Sequence, residues 1–575
     1  MRGWHFWRAI AMGAMLGMLL FEPGSQAQAP ATSTAPPAGP SSAGQAAKEE
    51  TCRVSGLVVK MADGSPLKNA LVQLSAENDR EHTIAAKTGT DGRFAVKNVP
   101  AGRYKLSVSR NGYVTAEYGQ RKLSDPGAAF TLMTGENRHD LVFKLVPAAV
   151  ITGRVFDEDG EPVQSAAVAA SRETYHEGKR TLATNGWAQT NDLGQFRLFG
   201  LAPGRYYVSA TESDWGQVHG DREFNAASKQ DGERAFTKTY YPGTTDLAKA
   251  SLISVKEGEE VAGTDIALKE VLVYRIQGKV FNQVTRKGGR EVELELIPRG
   301  KQLEWASGAS GSVKKSDGSF ELANVIPGSY VLFAYWFDDG KLYTAQEKVD
   351  IAESDLEGIA LTIGSGATVP GRVKWEGKPS LEGSELQVRL APELIQFWGG
   401  PSARVGPNQQ FAVKDVGEGD YRVNANGISR DCYLKEIQYG DTRAKDTTIT
   451  VSKGGGAPLE ITISSRGARV QGAVVNQDGL PAAGVWVVAV PDEGRRSDSR
   501  LFKSQTTDQY GKYDLHGLAP GTYRIFAWAG IEQDEWEDAE FLRPQEAKGE
   551  LIEVSDEDVK MVNPKLIEKK SEGNE

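Results

Sequence analysis

The sequence predicts an all-β protein that consists of tandem β-sandwich domains. Glycine (64) and proline (25) are frequent among the 575 residues, which favours short strands joined by tight turns over long helices. An aromatic residue also recurs ten positions before the tyrosine of a Gly-x-Tyr triplet at five places, and these tyrosines are 102, 124, 91 and 102 residues apart. Intervals of this length match β-sandwich domains and are too long for a solenoid repeat.

The first 27 residues are predicted to be a signal peptide. Two arginines precede an apolar run, residues 9–21, that is too short to span a bilayer as a stable helix, and cleavage is favoured after Ala27. The alternative is a membrane anchor. Residues 28–51 are rich in Ala, Pro and Ser, and we expect a disordered linker because they cannot bury enough apolar surface to fold. The mature chain is therefore expected to be exported, whether periplasmic, cell-surface or secreted, and to have no transmembrane segment.

The repeat has a recurring local design. Its five copies pair Phe94 with Tyr104, Phe196 with Tyr206, Phe320 with Tyr330, Phe411 with Tyr421, and Tyr513 with Tyr523. Apolar residues alternate after each tyrosine, as in Leu106 and Val108, which predicts a strand with one buried face. The glycine two positions before the tyrosine allows a tight turn at the start of that strand.

Turns and closing strands set the predicted domain boundaries. An Asp-Gly pair, typical of a tight hairpin, precedes the repeated aromatic residue at Asp63-Gly64, Asp159-Gly160 and Asp478-Gly479. Each unit closes with another alternating strand. The predicted domains are five Greek-key sandwiches at residues 52–147, 148–271, 272–365, 366–466 and 467–575, the last with a short polar tail.

Three segments of the first unit, residues 54–70, 90–94 and 99–104, form a pattern that resembles the carboxypeptidase regulatory-like domain. That domain is a transthyretin-like and starch-binding-like sandwich, Ig-like in class, found in many exported bacterial proteins. Units two and five also fit the pattern, whereas unit three lacks the Asp-Gly hairpin and unit four has residues 408–410 in place of the later Asp-Gly. The resemblance implies a non-catalytic accessory or binding module, without the separate peptidase domain of the metallocarboxypeptidases.

The sequence carries none of the motifs sought for catalysis, so we predict that the protein is not an enzyme and uses no metal or other cofactor. No histidine has a glutamate at the spacing of a zinc peptidase, and neither a nucleophile elbow nor a phosphate-binding loop is present. His516 is predicted to be a surface histidine. Residues 65–68 have the SxxK spacing of some serine acyl transferases but fall on a predicted hairpin. The net charge of −10 argues against nucleic acid and anionic membrane surfaces as main partners, because both favour clusters of Lys and Arg.

Two acidic groups raise the alternative of a calcium site. Residues 157–159 precede Gly160 in a predicted hairpin, and six acidic residues crowd residues 532–540. Calcium takes about six to eight oxygens from converging groups, often in a loop with regularly spaced ligands. Neither group has that spacing, so solvated acidic loops are the favoured interpretation.

Aromatic residues give the strongest functional indication. Alternate residues of a strand point to opposite faces, so the strands that begin at Tyr330 and Tyr523 are predicted to carry outward-facing aromatic side chains. The candidate ligand platform consists of Phe333, Tyr335, Trp336, Phe526 and Trp528. Exposed aromatic patches mark contacts, here either with sugar rings or with a protein partner. The alternative is packing against a neighbouring domain or a covering loop such as residues 536–541.

Cys52 and Cys432 are the only two cysteines. In an oxidising compartment two cysteines more often pair than stay reduced, which makes a Cys52–Cys432 disulfide a candidate. Three predicted boundaries separate the two residues, so pairing requires domain four to fold back onto domain one. Buried free thiols are the alternative.

Two functions from different classes follow from these observations. The first is a non-catalytic exported protein of tandem sandwiches that binds carbohydrate, or a cell-envelope protein, through exposed aromatic residues and loops. The second is an ancillary polysaccharide- or peptide-processing enzyme whose centre is assembled across domains. Two carboxylates that converge in a deep cleft would favour the second function.

Overall fold

The computed structural model describes residues 51–569 except 77–82, 124, 212–233, 300–308, 339–340, 383–384, 394–399, 445 and 453. The predicted signal peptide and all but the last residue of the predicted linker lie outside the described residues. Regular structure within the described residues is almost entirely β, with one short α-helix at Ala539–Leu542. Short 3-10 helices lie at Leu247–Lys249, Glu493–Arg495, Ser499–Leu501, Glu535–Glu537 and Arg543–Lys548. The predicted all-β class is confirmed.

Most sheets of the described residues form five successive pairs, which we call sandwiches 1 to 5. Sandwich 1 contains β1 (Cys52–Lys60), β2 (Leu71–Ala76), β3 (Thr83–Lys87), β4 (Arg93–Val99), β5 (Gly102–Ser109), β6 (Ala116–Glu117), β7 (Phe130–Leu132) and β8 (Asn137–Leu145). Sandwich 2 contains β9 (Ala149–Phe156), β10 (Ala167–His176), β11 (Lys179–Gln189), β12 (Gln195–Leu201), β13 (Gly204–Thr211), β14 (Arg234–Thr237), β15 (Thr239–Tyr240), β16 (Ile253–Val255), β17 (Glu260–Val261), β18 (Ile266–Ala267) and β19 (Lys269–Leu272).

The remaining strands form the other three sandwiches. Sandwich 3 contains β20 (Tyr274–Asn282), β21 (Lys287–Gly288), β22 (Glu293–Pro298), β23 (Ser310–Ser312), β24 (Ser319–Val325), β25 (Gly328–Asp338), β26 (Lys341–Ile351) and β27 (Leu356–Ile363). Sandwich 4 contains β28 (Ala367–Glu376), β29 (Gln387–Pro392), β30 (Ser402–Arg404), β31 (Gln410–Val416), β32 (Gly419–Asn426), β33 (Tyr433–Tyr439), β34 (Thr442–Arg443), β35 (Thr448–Val451) and β36 (Leu459–Ser464). Sandwich 5 contains β37 (Ala468–Ala473), β38 (Trp486–Pro491), β39 (Lys503–Thr506), β40 (Lys512–Leu518), β41 (Gly521–Ala529), β42 (Glu550–Val554), β43 (Val559–Met561) and β44 (Leu566–Glu568).

The same strand arrangement recurs in all five sandwiches. In one sheet, the first strand lies between the antiparallel strand of the repeated aromatic residue and a parallel strand from the end of the unit, as in β4-β1-β8. In the other sheet, the strand that begins at Gly-x-Tyr is central, as β5 is in β3-β2-β5-β6. Apolar side chains from both sheets meet between them, and each sandwich has a buried core of its own.

The repeated tyrosine closes the turn that precedes its strand. In every sandwich its ring is buried, and its hydroxyl donates to the backbone carbonyl four residues earlier at 2.7 to 3.1 Å. The acceptors are the carbonyls of Pro100, Ala202, Ile326, Gly417 and Ala519. The repeat therefore reflects a buried ring whose polar atom is satisfied by its own turn.

The repeated aromatic residue lies opposite a strand glycine. Gly56 pairs with Phe94 in sandwich 1, and Gly472 pairs with Tyr513 in sandwich 5. The other pairs are Gly153 with Phe196, Gly278 with Phe320 and Gly371 with Phe411. A Cβ at Gly472 would overlap the carbonyl oxygen of Val562, so the glycine lets the end of the unit approach while the aromatic ring covers the gap.

The exact division into domains stays a prediction. We retain boundaries near residues 148, 272, 366 and 467 as a proposal, because they fall at or beside the short connections between successive sandwiches. A backbone β-bridge between Ala129 and Asp508 joins sandwich 1 to sandwich 5.

Sandwich 5 folds back onto sandwich 1, so the chain is not a straight string. Beside the bridge from Ala129, the side chain of Gln509 accepts from the backbone N–H of Thr131 at 3.1 Å and donates to its carbonyl at 2.8 Å. Arg138 lies over the ring of Tyr510 and donates to its hydroxyl at 3.2 Å. On the side of sandwich 5 these contacts use Gln509 and Tyr510 from a turn, which carries no periodic signal in the sequence.

Sandwich 4 meets sandwich 5 at His516. The ring nitrogens of this histidine lie 2.6 Å from Asp431 and 3.0 Å from Asp514. Its side chain is only 7 % exposed, so the prediction of a surface histidine is wrong. The reason is the junction itself, which covers a position that a lone sandwich would leave open.

The two cysteines are free and lie in different cores. The thiol of Cys52 donates to the carbonyl of Met133 at 3.0 Å, and that of Cys432 donates to the carbonyl of Ser380 at 3.5 Å. The candidate Cys52–Cys432 disulfide is therefore not formed. The chain does fold back, but it brings sandwich 5, rather than Cys432, onto sandwich 1.

Candidate functional site

A cleft of about 590 Å³ lies between sandwiches 3 and 4. Sandwich 3 contributes Phe333, Tyr335, Phe337, Lys341, Leu342, Thr344 and Gln346 from β25 and β26. Sandwich 4 contributes Pro392, Gly400, Pro401, Ser402, Ala403, Arg404, Ala412, Lys414, Asp415, Gly417, Glu418, Gly419, Asp420 and Tyr421. A Cβ at Gly417 would overlap the hydroxyl oxygen of Thr344, so this glycine allows the two walls to approach.

Three aromatic side chains form a row along one wall of the cleft. Phe333, Tyr335 and Phe337 alternate along β25 and so lie on the same face, with ring centroids 6.0 Å apart for the first pair and 6.5 Å for the second. Phe333 is almost buried, Tyr335 is half-buried and Phe337 is 49 % exposed. The exposed fraction rises toward the end of the strand, so the row opens at Phe337.

Sequence reasoning missed Phe337 and misplaced Trp336. The alternation that gives Phe333 and Tyr335 reaches Phe337 two residues later, so the signal was present. Trp336 has the opposite parity and points toward the core of sandwich 3, where its ring centroid lies 5.3 Å from that of Tyr343. Its predicted place in the platform is wrong for that reason.

The predicted aromatic platform of sandwich 5 is also wrong. Phe526 and Trp528 are 1 % exposed and stack on each other with centroids 4.4 Å apart. They lie in a second core of sandwich 5, under Trp536 and Leu542. The alternative of a covering loop is the observed arrangement, because the segment between β41 and β42 folds over this face of the sheet.

Polar groups accompany the aromatic row on both walls. Thr344 and Gln346 lie beside Tyr335 and Phe333 on the neighbouring strand β26. Burial, together with the nearby carboxylates of Glu293 and Glu295, raises the pKa of Tyr335 to about 12. Its phenol therefore stays protonated across the physiological pH range and can serve as a hydrogen-bond donor.

The charges that line the cleft balance each other. Three are basic and three are acidic: Lys341, Arg404, Lys414, Asp415, Glu418 and Asp420. Among them, Arg404 is paired with Glu385, and Asp420 accepts from the hydroxyl of Thr450 at 2.6 Å. A cleft with this lining favours an uncharged ligand over a strongly anionic or cationic one.

Two carboxylates border the aromatic row. Glu293 and Glu295 lie directly across from Tyr335 and Phe333 in the β22–β25 ladder. Burial raises the pKa of both. Neither belongs to the described lining of the cleft.

The acidic groups considered for calcium have structural roles. One Asp157 oxygen accepts the backbone N–H groups of Asp159 and Glu161 at 3.0 and 2.9 Å, which builds the hairpin turn. Glu535 is buried and pairs with Lys569 at 2.5 Å. In the part of the chain that the structure describes, no group of three or more His, Cys, Asp or Glu side chains could hold a metal ion. No helix among the same residues has the length and apolar character needed to cross a membrane.

Residues 53–141 and 150–231 match the family model of the carboxypeptidase regulatory-like domain. Sandwiches 1 and 2 are carboxypeptidase regulatory-like domains. Sandwiches 3 to 5 lie outside these matches but share with the two regulatory-like domains the strand order and the tyrosine hydrogen bond. No curated protein matches the chain.

Solved structures similar to this chain include pilins and other proteins of bacteria. The minor pilin GBS52 of Streptococcus agalactiae is 14 % identical over 38 % of this chain and 97 % of the pilin, with a TM-score of 0.21. The major pilin subunit BcpA of Bacillus cereus is 12 % identical over 54 % of this chain and 99 % of the pilin, with a TM-score of 0.13. Two B repeat units of the collagen binding protein of Staphylococcus aureus are 14 % identical over 72 % of this chain and 100 % of theirs, with a TM-score of 0.12.

Proposed function

We propose that this protein is an exported, non-catalytic binding protein that holds carbohydrate in the cleft between sandwiches 3 and 4. The aromatic row of Phe333, Tyr335 and Phe337 carries this proposal. Flat rings fixed on a rigid strand suit the apolar faces of sugar rings, and the neighbouring hydroxyl, amide and carboxylate groups suit sugar hydroxyls.

The size and charge of the cleft support the same ligand class. Its volume of about 590 Å³ falls within the usual range of small-ligand sites, roughly 300 to 1,000 Å³. Its three basic and three acidic residues leave no net charge to select an ionic ligand. A short neutral oligosaccharide fits both properties. The predicted signal peptide supports export, which would place the cleft where glycans of the cell envelope occur.

A glycan array with the chain from residue 28 onward tests the proposal, because residues 9–21 are apolar and would interfere. We expect weak, specific binding to neutral oligosaccharides, and loss of that binding in the double variant Tyr335→Ala/Phe337→Ala. The matched control is Trp187→Ala/Phe199→Ala, which removes two aromatic side chains, 70 % and 68 % exposed, from sandwich 2.

Equal loss of glycan binding in both double variants would show that the cleft is not the binding site. Absence of glycan binding together with specific capture of a cell-envelope protein that depends on Tyr335 would replace carbohydrate by a protein partner.

A second candidate function rests on Glu293 and Glu295. They lie two residues apart along β22, so both side chains are on one face of the sheet, and the raised pKa of each suits proton donation to a glycosidic oxygen. Release of reducing ends from a bound glycan, abolished by Glu293→Gln, would support an enzyme. Binding that leaves the glycan intact supports the non-catalytic proposal.

A further inference from the structure

Sandwich 3 differs from sandwiches 1, 2 and 5 at the hairpin that follows its first strand. Those three carry an Asp-Gly turn there, whereas sandwich 3 carries Arg286-Lys287-Gly288. Two backbone N–H groups, those of Val284 and Thr285, donate to the side chain of the buried Asn282 at 2.9 and 3.1 Å. The hairpin is therefore an ordered turn that holds its tip in one position.

The hairpin packs against a second turn to form one basic surface. A Cβ at Gly288 would overlap the backbone of Asp317 and Gly318, so the two turns are in direct contact. We call this surface the basic end of sandwich 3; its six basic side chains are all exposed and are Lys279, Arg286, Lys287, Arg290, Lys314 and Lys315. Its acidic groups are Asp317, whose carboxylate lies 4.0 Å from Lys279, and Glu291.

Two exposed apolar side chains lie within this basic surface. Phe281 is 47 % exposed and Val284 is 41 % exposed. In sandwich 2 the equivalent hairpin has the opposite chemistry: it carries Asp157, Glu158, Asp159 and Glu161, and its Phe156 is half-buried. Basic and apolar character together thus distinguish this hairpin from its equivalent in sandwich 2.

We propose that the basic end of sandwich 3 docks on a bilayer surface that contains anionic phospholipids. The chain as a whole carries a net charge of −10, but charges farther than about 8 Å from the contact are largely screened at physiological salt. The basic side chains at the contact therefore determine whether the protein is attracted to an anionic bilayer. Phe281 and Val284 favour a bilayer over a soluble polyanion, because an apolar side chain gains only where it can leave water.

The experiment measures co-sedimentation of the chain from residue 28 onward with two kinds of vesicle, phosphatidylcholine alone and phosphatidylcholine with phosphatidylglycerol. We expect binding to the anionic vesicles only, weakening as salt is raised. The variant Arg286→Asn/Lys287→Asn should bind roughly 25-fold more weakly, since each basic residue near an anionic surface contributes about fivefold. Asparagine tolerates the positive φ of Arg286, so the turn is preserved.

A second variant separates lipid from other anions. Phe281→Ala should weaken vesicle binding by about tenfold, because its ring no longer enters the apolar layer. Lys97→Gln/Lys144→Gln removes the same number of exposed charges from sandwich 1 and should bind as the unchanged chain does. Thermal unfolding of each variant confirms that sandwich 3 is intact.

Three results would overturn the proposal. The first is that the unchanged chain does not bind anionic vesicles. The second is that Arg286→Asn/Lys287→Asn binds them as tightly as Lys97→Gln/Lys144→Gln does. The third is that the chain binds soluble heparin as tightly as vesicles and that Phe281→Ala does not weaken either interaction. The last result would assign the basic end to a soluble polyanion.

Discussion

Sandwiches 3 and 5 carry aromatic residues at the same positions of the same strand, yet only sandwich 3 presents them to a cleft. Phe333 and Tyr335 follow Tyr330 by three and five residues, and Phe526 and Trp528 follow Tyr523 by the same intervals. In sandwich 5 about twenty residues separate β41 from β42 and fold over the sheet, whereas β25 and β26 of sandwich 3 are joined by a two-residue connection. What covers a sheet, rather than what the sheet carries, decides whether an aromatic row can meet a ligand.

The largest effect that can test this comparison is on stability. Trp528→Ala should lower the free energy of unfolding of sandwich 5 by about 3 to 5 kcal/mol, because it leaves a cavity between Phe526 and Trp536. Phe337→Ala in sandwich 3 should cost less than about 1 kcal/mol, since the side chain is half exposed. Urea denaturation of both variants measures the two losses of stability. Similar losses would show that the aromatic faces of sandwiches 3 and 5 are equally buried.

The second effect is on affinity. Phe337→Ala should weaken binding of a glycan identified on the array by about tenfold, since the ring lies at the open end of the aromatic row. Trp528→Ala should leave the dissociation constant unchanged at a temperature where sandwich 5 remains folded. Titration calorimetry at that temperature measures both, and a weaker affinity in Trp528→Ala alone would reverse the assignment.

The third effect is a pH dependence that arises at Glu537, in the segment that covers the sheet of sandwich 5. Burial raises the pKa of Glu537 from 4.5 to about 7, with Asp534 and Glu177 adding to the rise and Arg422 opposing it. The folded state binds this proton more tightly than the unfolded chain, so its stabilising contribution is complete below pH 4.5 and is lost as pH rises through about 7.

Glu537→Gln should remove that dependence. We expect the variant to be more stable than the unchanged chain at pH 8, by less than about 1 kcal/mol after solvent screening, and equal to it at pH 4. Glu540→Gln, an exposed position in the same segment, should change neither value. Thermal unfolding at the two pH values measures these differences in stability. A Glu537→Gln variant that is less stable than the unchanged chain at pH 8 would contradict the expected direction of the effect.

The smallest effect concerns the phenol of Tyr335. Tyr335→Phe keeps the ring and removes one hydrogen-bond donor, so glycan affinity should fall only about threefold to tenfold. Because the pKa of Tyr335 is about 12, the loss of glycan affinity should be the same at pH 6 and pH 9. A loss that varies between these pH values would point to another titrating group in the cleft.

The fold was largely predictable, because it depends on local patterns. The alternation after each tyrosine, the Asp-Gly hairpins and the Gly-x-Tyr turns are short-range features, and the tyrosine hydrogen bond to the fourth residue back gives them a common physical cause. The strand glycine opposite each aromatic residue repeats in all five sandwiches, including the two that lack the Asp-Gly-x-Pro hairpin.

The site was less predictable, because it depends on what lies against each sheet. Because side chains alternate along a strand, Trp336 faces the opposite side of the sheet from Tyr335, and this could have been predicted from the sequence. Burial of Phe526 could have been suspected from the long segment before β42, which has to fold somewhere. The junctions at Gln509, in a turn, and at His516, in β40, had no such signal, since contacts between domains follow no period along the chain.

Hydrogen exchange with and without a bound neutral oligosaccharide tests the central claim most directly. We expect added protection in β25 and β26 around Tyr335 and Thr344 and in the facing residues 402–404 and 417–421 of sandwich 4, with β41 of sandwich 5 unchanged. Protection in β41, or in sandwiches 1 and 2 without any change in β25, would contradict the assignment of the cleft as the binding site.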